Sequence, residues 1–339
     1  MKKHAALLFI CCALFVAGSG MVQDRDEPSK KQLERATGYY SSAQFDKAID
    51  ILTRLSKNPN LDKGTQKEVL FGLGRAYVAK GQKEKAKSVM MKLLALEPPL
   101  IELDPDAECP ALLKAYYDAR KGKTGSYAVE RPDPAMKTIA VLDFKNRSLD
   151  DREKYNPLEQ GFADLMIDRL HGATNLKVIE RERIQWILNE ISLENDPQKF
   201  DATSAVRVGK QLGVHAVLLG SFIKVKDEIW LGARLVKVET GEILMTDEIK
   251  GDADEFFDLA QKLSEKVAKG INVVIVAQET GTRSDTKSLD AMLSYSQGLV
   301  DLEHGNYKSA YQKFMSALEK DPSYERARAK AESIKPFLG

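Results

Sequence analysis

LVKVETGEIL, Leu235 to Leu244, alternates apolar and polar side chains, breaks at Thr240-Gly241 and then resumes. Period-two alternation predicts a half-buried strand, and the Thr-Gly break predicts a hairpin turn. Working outward, HAVLLGSFIKV (215–225), EIWLGARLVKV (228–238) and EILMTDEIKG (242–251) read as three strands in close succession. Short turns at Lys226-Asp227 and Thr240-Gly241 make them an antiparallel meander. Upstream, TIAVLDF is apolar enough for a central strand and LKVIE reads as another. Between them LEQGFADLMIDRLHG carries Leu158, Phe162, Leu165, Met166 and Leu170 on one helical stripe, with Gly172 just past its end. RERIQWILNEISL, with Ile184, Ile187, Leu188 and Ile191 inward, and TSAVRVGKQLGV, with a Thr or Ser cap, are helices. DEFFDLAQKLSEKVAKGINVVI is a long closing helix. Strands and helices in this order predict a mixed-sheet α/β domain over 137–277. Asp143, at the end of the first strand, reads as a turn-former.

Linkers at 122–136, rich in Gly and Pro, and at 278–288 frame that domain. The first contains Gly122-Lys123-Thr124, but position 117 is Tyr where a phosphate loop needs glycine, and no buried strand precedes it. The match is accidental.

On either side the period is helical and repeats. Gly74, Tyr77, Ala86, Leu93 and Pro98 fall where tetratricopeptide repeats place small, aromatic, small, apolar and proline residues. Gly74 and Ala86 let two antiparallel helices approach, Tyr77 fills the gap, and Pro98 ends the second helix. Ala36, Tyr39, Phe45, Ala48 and Leu52 repeat the scheme upstream; Gly298, Tyr307, Ala310, Phe314, Ala317 and Pro322 repeat it near the end. CPALLKAYYDARK, with Pro110 suited to a first helical turn, is expected to cap the N-terminal array, and a helix from about Tyr324 to Phe337 the C-terminal repeat. The arrays therefore span 29–121 and 289–337. Such repeats present a concave face to partners. The resemblance places Thr37, Tyr40, Phe71 and Arg75 on that face as partner-binding candidates; packing within the hairpins is the competing reading for each.

IAVLDFKN, VIERERIQWILNE, GKQLGVHAVLLGSF and ARLVKVETGEIL, in that order, resemble the CsgG family, the curli production assembly/transport component. The resemblance covers essentially all of the middle domain. It implies that Glu180 and Arg181 and the TGEIL hairpin are framework rather than catalytic. The curli channel itself threads long hairpins through the outer membrane, and each membrane strand takes about 9–11 residues. Between Phe222 and Ala233 this chain has only IKVKDEIWLG, and MTDEIKGDADEFF runs straight into the closing helix. The expectation is the family's periplasmic domain without its pore.

MKKHAALLFICCALFVAGSG, residues 1–20, has the positive head, short apolar body and small-residue exit of a secretory signal peptide. An uncleaved anchor and lipidation at Cys11 or Cys12 are the competing readings. Cleavage leaves Cys109 alone, without a disulfide framework, as a small buried hydrophobe. No later segment is long and apolar enough to span a bilayer. Lys+Arg 51 against Asp+Glu 50 gives a net charge of +1, so no basic excess points to nucleic acid.

Chemistry is hard to find. His171, His215 and His304 stand at no metal-ligand spacing, and His215 reads as a satisfied half-buried group. GLG at 72–74 lies inside a helical repeat, no G-x-S-x-G elbow appears, and Trp186 and Trp230 fit core or edge packing. The sequence therefore predicts no catalytic, metal or cofactor site. The expected protein is a non-enzymatic periplasmic or outer-membrane-associated scaffold or adaptor that assists assembly or export of an envelope or surface structure. It would bind envelope proteins, with self-association possible. A periplasmic ligand-binding sensor, or a subunit of an outer-membrane secretion channel, is the alternative.

Overall fold

Leu235 and Val236, adjacent in the strand, are both fully buried, which a sheet open on one face would not produce. The sheet is covered on both sides here. The structure, a computed structural model, describes residues 28–96, 103, 107–128, 135–190, 202–275 and 286–338. The expected signal segment, Pro98, Ile191 and most of the 278–288 linker lie outside the described residues.

Five strands follow in the spatial order β3-β1-β4-β5-β6: β3 (Leu176–Ile179), β1 (Lys137–Val141), β4 (Ala216–Val225), β5 (Glu228–Lys237) and β6 (Ile243–Asp252). A short β2 (Lys145–Asn146) also pairs with β4. β1 runs parallel to β3 and β4, whereas β4, β5 and β6 form the expected antiparallel meander. Val225 faces Glu228, so two residues make the first turn, with Lys226 at φ 50°. The second turn needs Gly241, which sits at φ 74° where a side chain would be strained. A register shift between Leu235 and Val236 marks a bulge near the quoted stretch.

On one face α7 (Leu158–His171) and α10 (Phe256–Gly270) cover Ile139, Leu218, Leu231 and Leu235. All five stripe residues of α7 are buried. On the other, α8 (Arg181–Glu190) and α9 (Ala202–Leu212) cover Ala140, Val217 and Val238. The closing helix stops at Gly270 instead of continuing to Ile275. Asn272, at φ 58°, turns the chain, and Ile275 bridges Ala173 as a strand residue would. β-branched residues after a turn favour that extended state.

The N-terminal array comprises α1 (Ser29–Ser41), α2 (Phe45–Leu55), α3 (Lys63–Ala79), α4 (Lys83–Leu96) and α5 (Pro110–Thr124). A Cβ on Gly74 would stand 3.1 Å from Leu112 and closer still to Met90, so glycine sets the approach of α4 and α5 to α3. Helix α5 caps the array as expected, with Pro110 in its first turn. It continues through Gly122–Thr124, however, so the stretch expected to be a linker begins as helix. Tyr127, just beyond, is buried. A short α6 (Arg152–Tyr155) precedes α7.

The C-terminal helices are α11 (Leu289–Glu303), α12 (Tyr307–Lys320) and α13 (Glu325–Ile334). The first two form a hairpin in which a Cβ on Gly298 would lie 2.5 Å from the Phe314 ring. The final helix ends at Ile334, earlier than expected, and residues 335–338 make a 3-10 turn. Pro336 lacks the N–H that another helical turn would need.

Candidate interaction site

The four sequence candidates occupy α1 and α3. Thr37 is exposed and its hydroxyl donates to the Leu33 carbonyl at 3.0 Å. Tyr40, one turn later, is half-buried and tilts against Phe45 at 5.7 Å. Phe71 is half-buried, with the Arg75 guanidinium over its ring at 6.0 Å. Arg75 is held by the chain itself: its Nε donates to Glu108 Oε2 at 2.9 Å, and Nη2 pairs with the other carboxylate oxygen. That hydrogen bond keeps the guanidinium charged and raises its pKa. Burial, with Cys109 close by, pushes the Tyr40 phenol up. Burial likewise pushes the Cys109 thiol to about 12, so it stays protonated and acts as packing.

This patch also receives the other end of the chain. Phe337 packs against the core of the N-terminal array and stacks on Tyr307 at 4.8 Å. Tyr307 stands near Cys109 and Tyr40, and burial moves its phenol to about 12. The two helical arrays therefore touch. Glu108, and the meeting of Tyr307 and Phe337 with this patch, escaped sequence reasoning because these residues are far apart in the chain.

A second cluster lies at the start of α8. Glu180, Arg181, Glu182 and Arg183 are consecutive, and side chains in a first helical turn fan out by about 100° per residue. Each therefore meets a different neighbour. Glu180 accepts a hydrogen bond from Tyr117 of α5 at 3.0 Å. Arg181 donates to both oxygens of Asp143 at 2.9 and 3.0 Å and to Glu303 of α11 at 3.0 Å. Glu182 pairs with Lys330 of α13 at 3.6 Å. Arg183, 1% exposed, donates to the Tyr127 carbonyl at 2.7 Å and lies over Tyr117.

Burial disfavours the charge on Arg181, but Asp143 and Glu303 outweigh it and its pKa is raised. Burial raises the Glu182 carboxyl despite Lys330. Nearby, Asp164 accepts from Tyr295 at 2.8 Å and pairs with Arg326, which is 3% exposed. Asp143, expected to shape a turn, instead anchors Arg181; an ion partner distant in sequence explains the difference. Glu180 and Arg181 hold neighbouring elements together, and the next two residues do the same. His215 is satisfied: its Nδ1 accepts the Thr138 N–H at 3.0 Å. Trp186 packs against Tyr117 and Tyr127 at 5.5 and 6.1 Å.

A groove of about 560 Å³ opens beside this joint; Asp143, Gln185, Ser221, Gly232 and Arg234 are among its lining residues. No group of three or more His, Cys, Asp or Glu among the described residues is placed to hold a metal ion. No described helix is long and apolar enough to cross a membrane.

Residues 123–225 match the family model "Curli production assembly/transport component CsgG", and residues 68–99 match a tetratricopeptide repeat. A relative described as "Putative adenylate cyclase 3", from Rhizobium meliloti (strain 1021), is 23% identical over 201 residues, 58% of this chain. The chain spans only 32% of that relative's length. Among solved structures, the LpoB C-terminal domain from Escherichia coli is 14% identical, over 36% of this chain and 87% of that one, with a TM-score of 0.27. Lipoprotein GNA1162 from Neisseria meningitidis is 16% identical, over 41% and 95%, with a TM-score of 0.27. TolB from Acinetobacter baumannii is 11% identical, over 42% and 30%, with a TM-score of 0.28. The chain thus carries a CsgG-family domain at 123–225, preceded by a tetratricopeptide repeat at 68–99.

Proposed function

We propose that this protein is a non-enzymatic adaptor of the bacterial envelope, exported by its N-terminal segment and working in the periplasm or at the outer membrane. The observation that carries this reading is the joint at Glu180–Arg183, where consecutive side chains clamp α5, the segment after β1, α11 and α13 onto one turn of helix. A joint of this kind fixes the angle between two helical arrays, as an adaptor presenting two surfaces requires. The family match supports a role in assembling or exporting a surface structure, and the repeat match supports protein partners. The C-terminal hairpin, with Gly298 against Phe314, is a further repeat in this reading. Thr37, Tyr40, Phe71 and Arg75 form the partner face, which a partner's carboxylate enters by displacing Glu108 from Arg75.

The tight turns of the meander support a body without its own pore, since a two-residue connection at Lys226-Asp227 has no length to reach across lipid. Two measurements test the proposal. The protein is expected to purify without detergent, and light scattering of that material, alone and with envelope extract, reports self-association. Strict detergent dependence with single-channel conductance would show the pore-forming alternative instead. Incubation with ATP and Mg²⁺ is expected to yield no cyclic nucleotide; sustained turnover would end the non-enzymatic reading.

A further inference from the structure

The groove beside the joint has features that adaptor function does not use. Its floor is made where β4 and β5 pair Gly220 with Ala233 and Ser221 with Gly232. Of these, Ser221 and Gly232 face the groove, whereas Gly220 and Ala233 lie on the opposite face with Phe144. Gly220 has a packing reason, because a Cβ there would strike the Phe144 ring. Gly232 has none. Its φ is not in the left-handed region, and an added Cβ would meet only the Ser221 hydroxyl at 3.1 Å and two backbone oxygens near 4 Å. A glycine inside a strand without a left-handed φ is one way to leave room for close approach by a ligand. The volume, about 560 Å³, suits a small ligand.

The charges around this floor are unevenly engaged. Asp143 is taken up by Arg181 and by Gln185 at 3.2 Å. Glu159 accepts the Asn146 N–H at 2.8 Å, and Asp247 pairs with Lys266 at 2.8 Å. Arg147 and Arg234, both exposed and both lining the groove, form no ion pair among the described residues. Glu248, exposed on the same lining, is the remaining acid. Two uncommitted guanidinium groups over a low, polar floor favour an oxyanion, which guanidinium binds through paired N–H donors.

We propose that this groove binds a small carboxylate- or phosphate-bearing molecule, with Arg147 and Arg234 receiving the anion and the Ser221–Gly232 floor admitting its body. The site is independent of the adaptor reading, which stands or falls on its own measurements. The test is calorimetric titration of the full chain at low salt with citrate, with glucose 6-phosphate, and with glucose as the neutral control. Saturable binding of citrate or of the sugar phosphate, without binding of glucose, is expected, and the two anions distinguish carboxylate from phosphate recognition. Arg147→Gln with Arg234→Gln is expected to weaken that binding by about tenfold or more. Gly232→Val, compatible with a strand, is expected to abolish it while circular dichroism stays unchanged. If Gly232→Val fails to fold, the arginine pair decides the matter. Absence of anion binding to the unmodified protein, binding of glucose as tight as that of the anions, or unchanged affinity in the arginine variant would overturn the proposal.

Discussion

The two helical arrays meet the α/β domain by different means. The N-terminal array shares one continuous apolar core with it, running from Leu33 and Leu52 through Tyr116 to Ile184, Val208 and Val238. The C-terminal helices keep a core of their own around Tyr295, Phe314 and Ile334. They dock on α7 through Met292, Leu293 and a close approach at Gly161, where a Cβ would lie 3.1 Å from the Ser296 Cβ. Buried charges then complete the dock: Arg181–Glu303, Arg326–Asp164 and Lys330–Glu182. Apolar burial is non-directional and tolerates small shifts, whereas a buried ion pair requires its partner in place or becomes costly. The first attachment supplies stability; the second supplies an angle.

The largest expected effect comes from breaking a charge in the second attachment. Arg326→Met leaves the buried Asp164 carboxylate without its cation and should cost about 3–5 kcal/mol. Hydrogen exchange should accelerate across 289–334 and much less across 29–96. Pairing that change with Asp164→Leu should recover much of the loss, because two apolar groups need no desolvated partner. Equal acceleration in both arrays would erase the distinction drawn between them.

A smaller change sharpens the same comparison from the other side. Tyr117→Phe removes the hydroxyl that donates to the buried Glu180 while keeping the ring against Trp186. It should cost about 1.5–3 kcal/mol, measured by urea unfolding. The N-terminal array should nevertheless stay docked through its apolar core, visible as unchanged exchange across 63–96.

The smallest effect is a pH dependence. Burial raises the Glu159 carboxyl above its ordinary 4.5, so the folded state holds that proton more tightly than the unfolded chain. Its contribution is complete below 4.5 and is lost as pH rises through the raised folded value. Glu159→Gln, which cannot titrate, should flatten the stability profile in that window. A profile parallel to that of the unmodified protein would remove Glu159 as its source.

Which parts of this were legible in the residues follows from the same distinction. The meander, the α7 stripe and the close approach at Gly74 were readable because each is a local period or a small residue at a helix crossing. Helix ends were less so: α5 runs past the glycine at 122, and α10 stops before Ile275, since neighbouring contacts rather than propensity choose the last turn. Of the candidate partner residues, the sequence located Tyr40 and Arg75 on neighbouring helices. It could not show that Glu108 already holds Arg75, because an ion pair has no periodic signature. The same holds for Asp143, whose partner lies 38 residues away.

That a β-meander domain sits between helical hairpins can be read from residue order, because periods of two and of about 3.6 residues follow from backbone geometry alone. That Glu180 to Arg183 join both arrays, and that Gly232 and two uncommitted arginines share a groove, emerges only once the chain is packed. Those outcomes depend on which surfaces meet across the fold, and charge pairing between distant segments leaves no trace in local order.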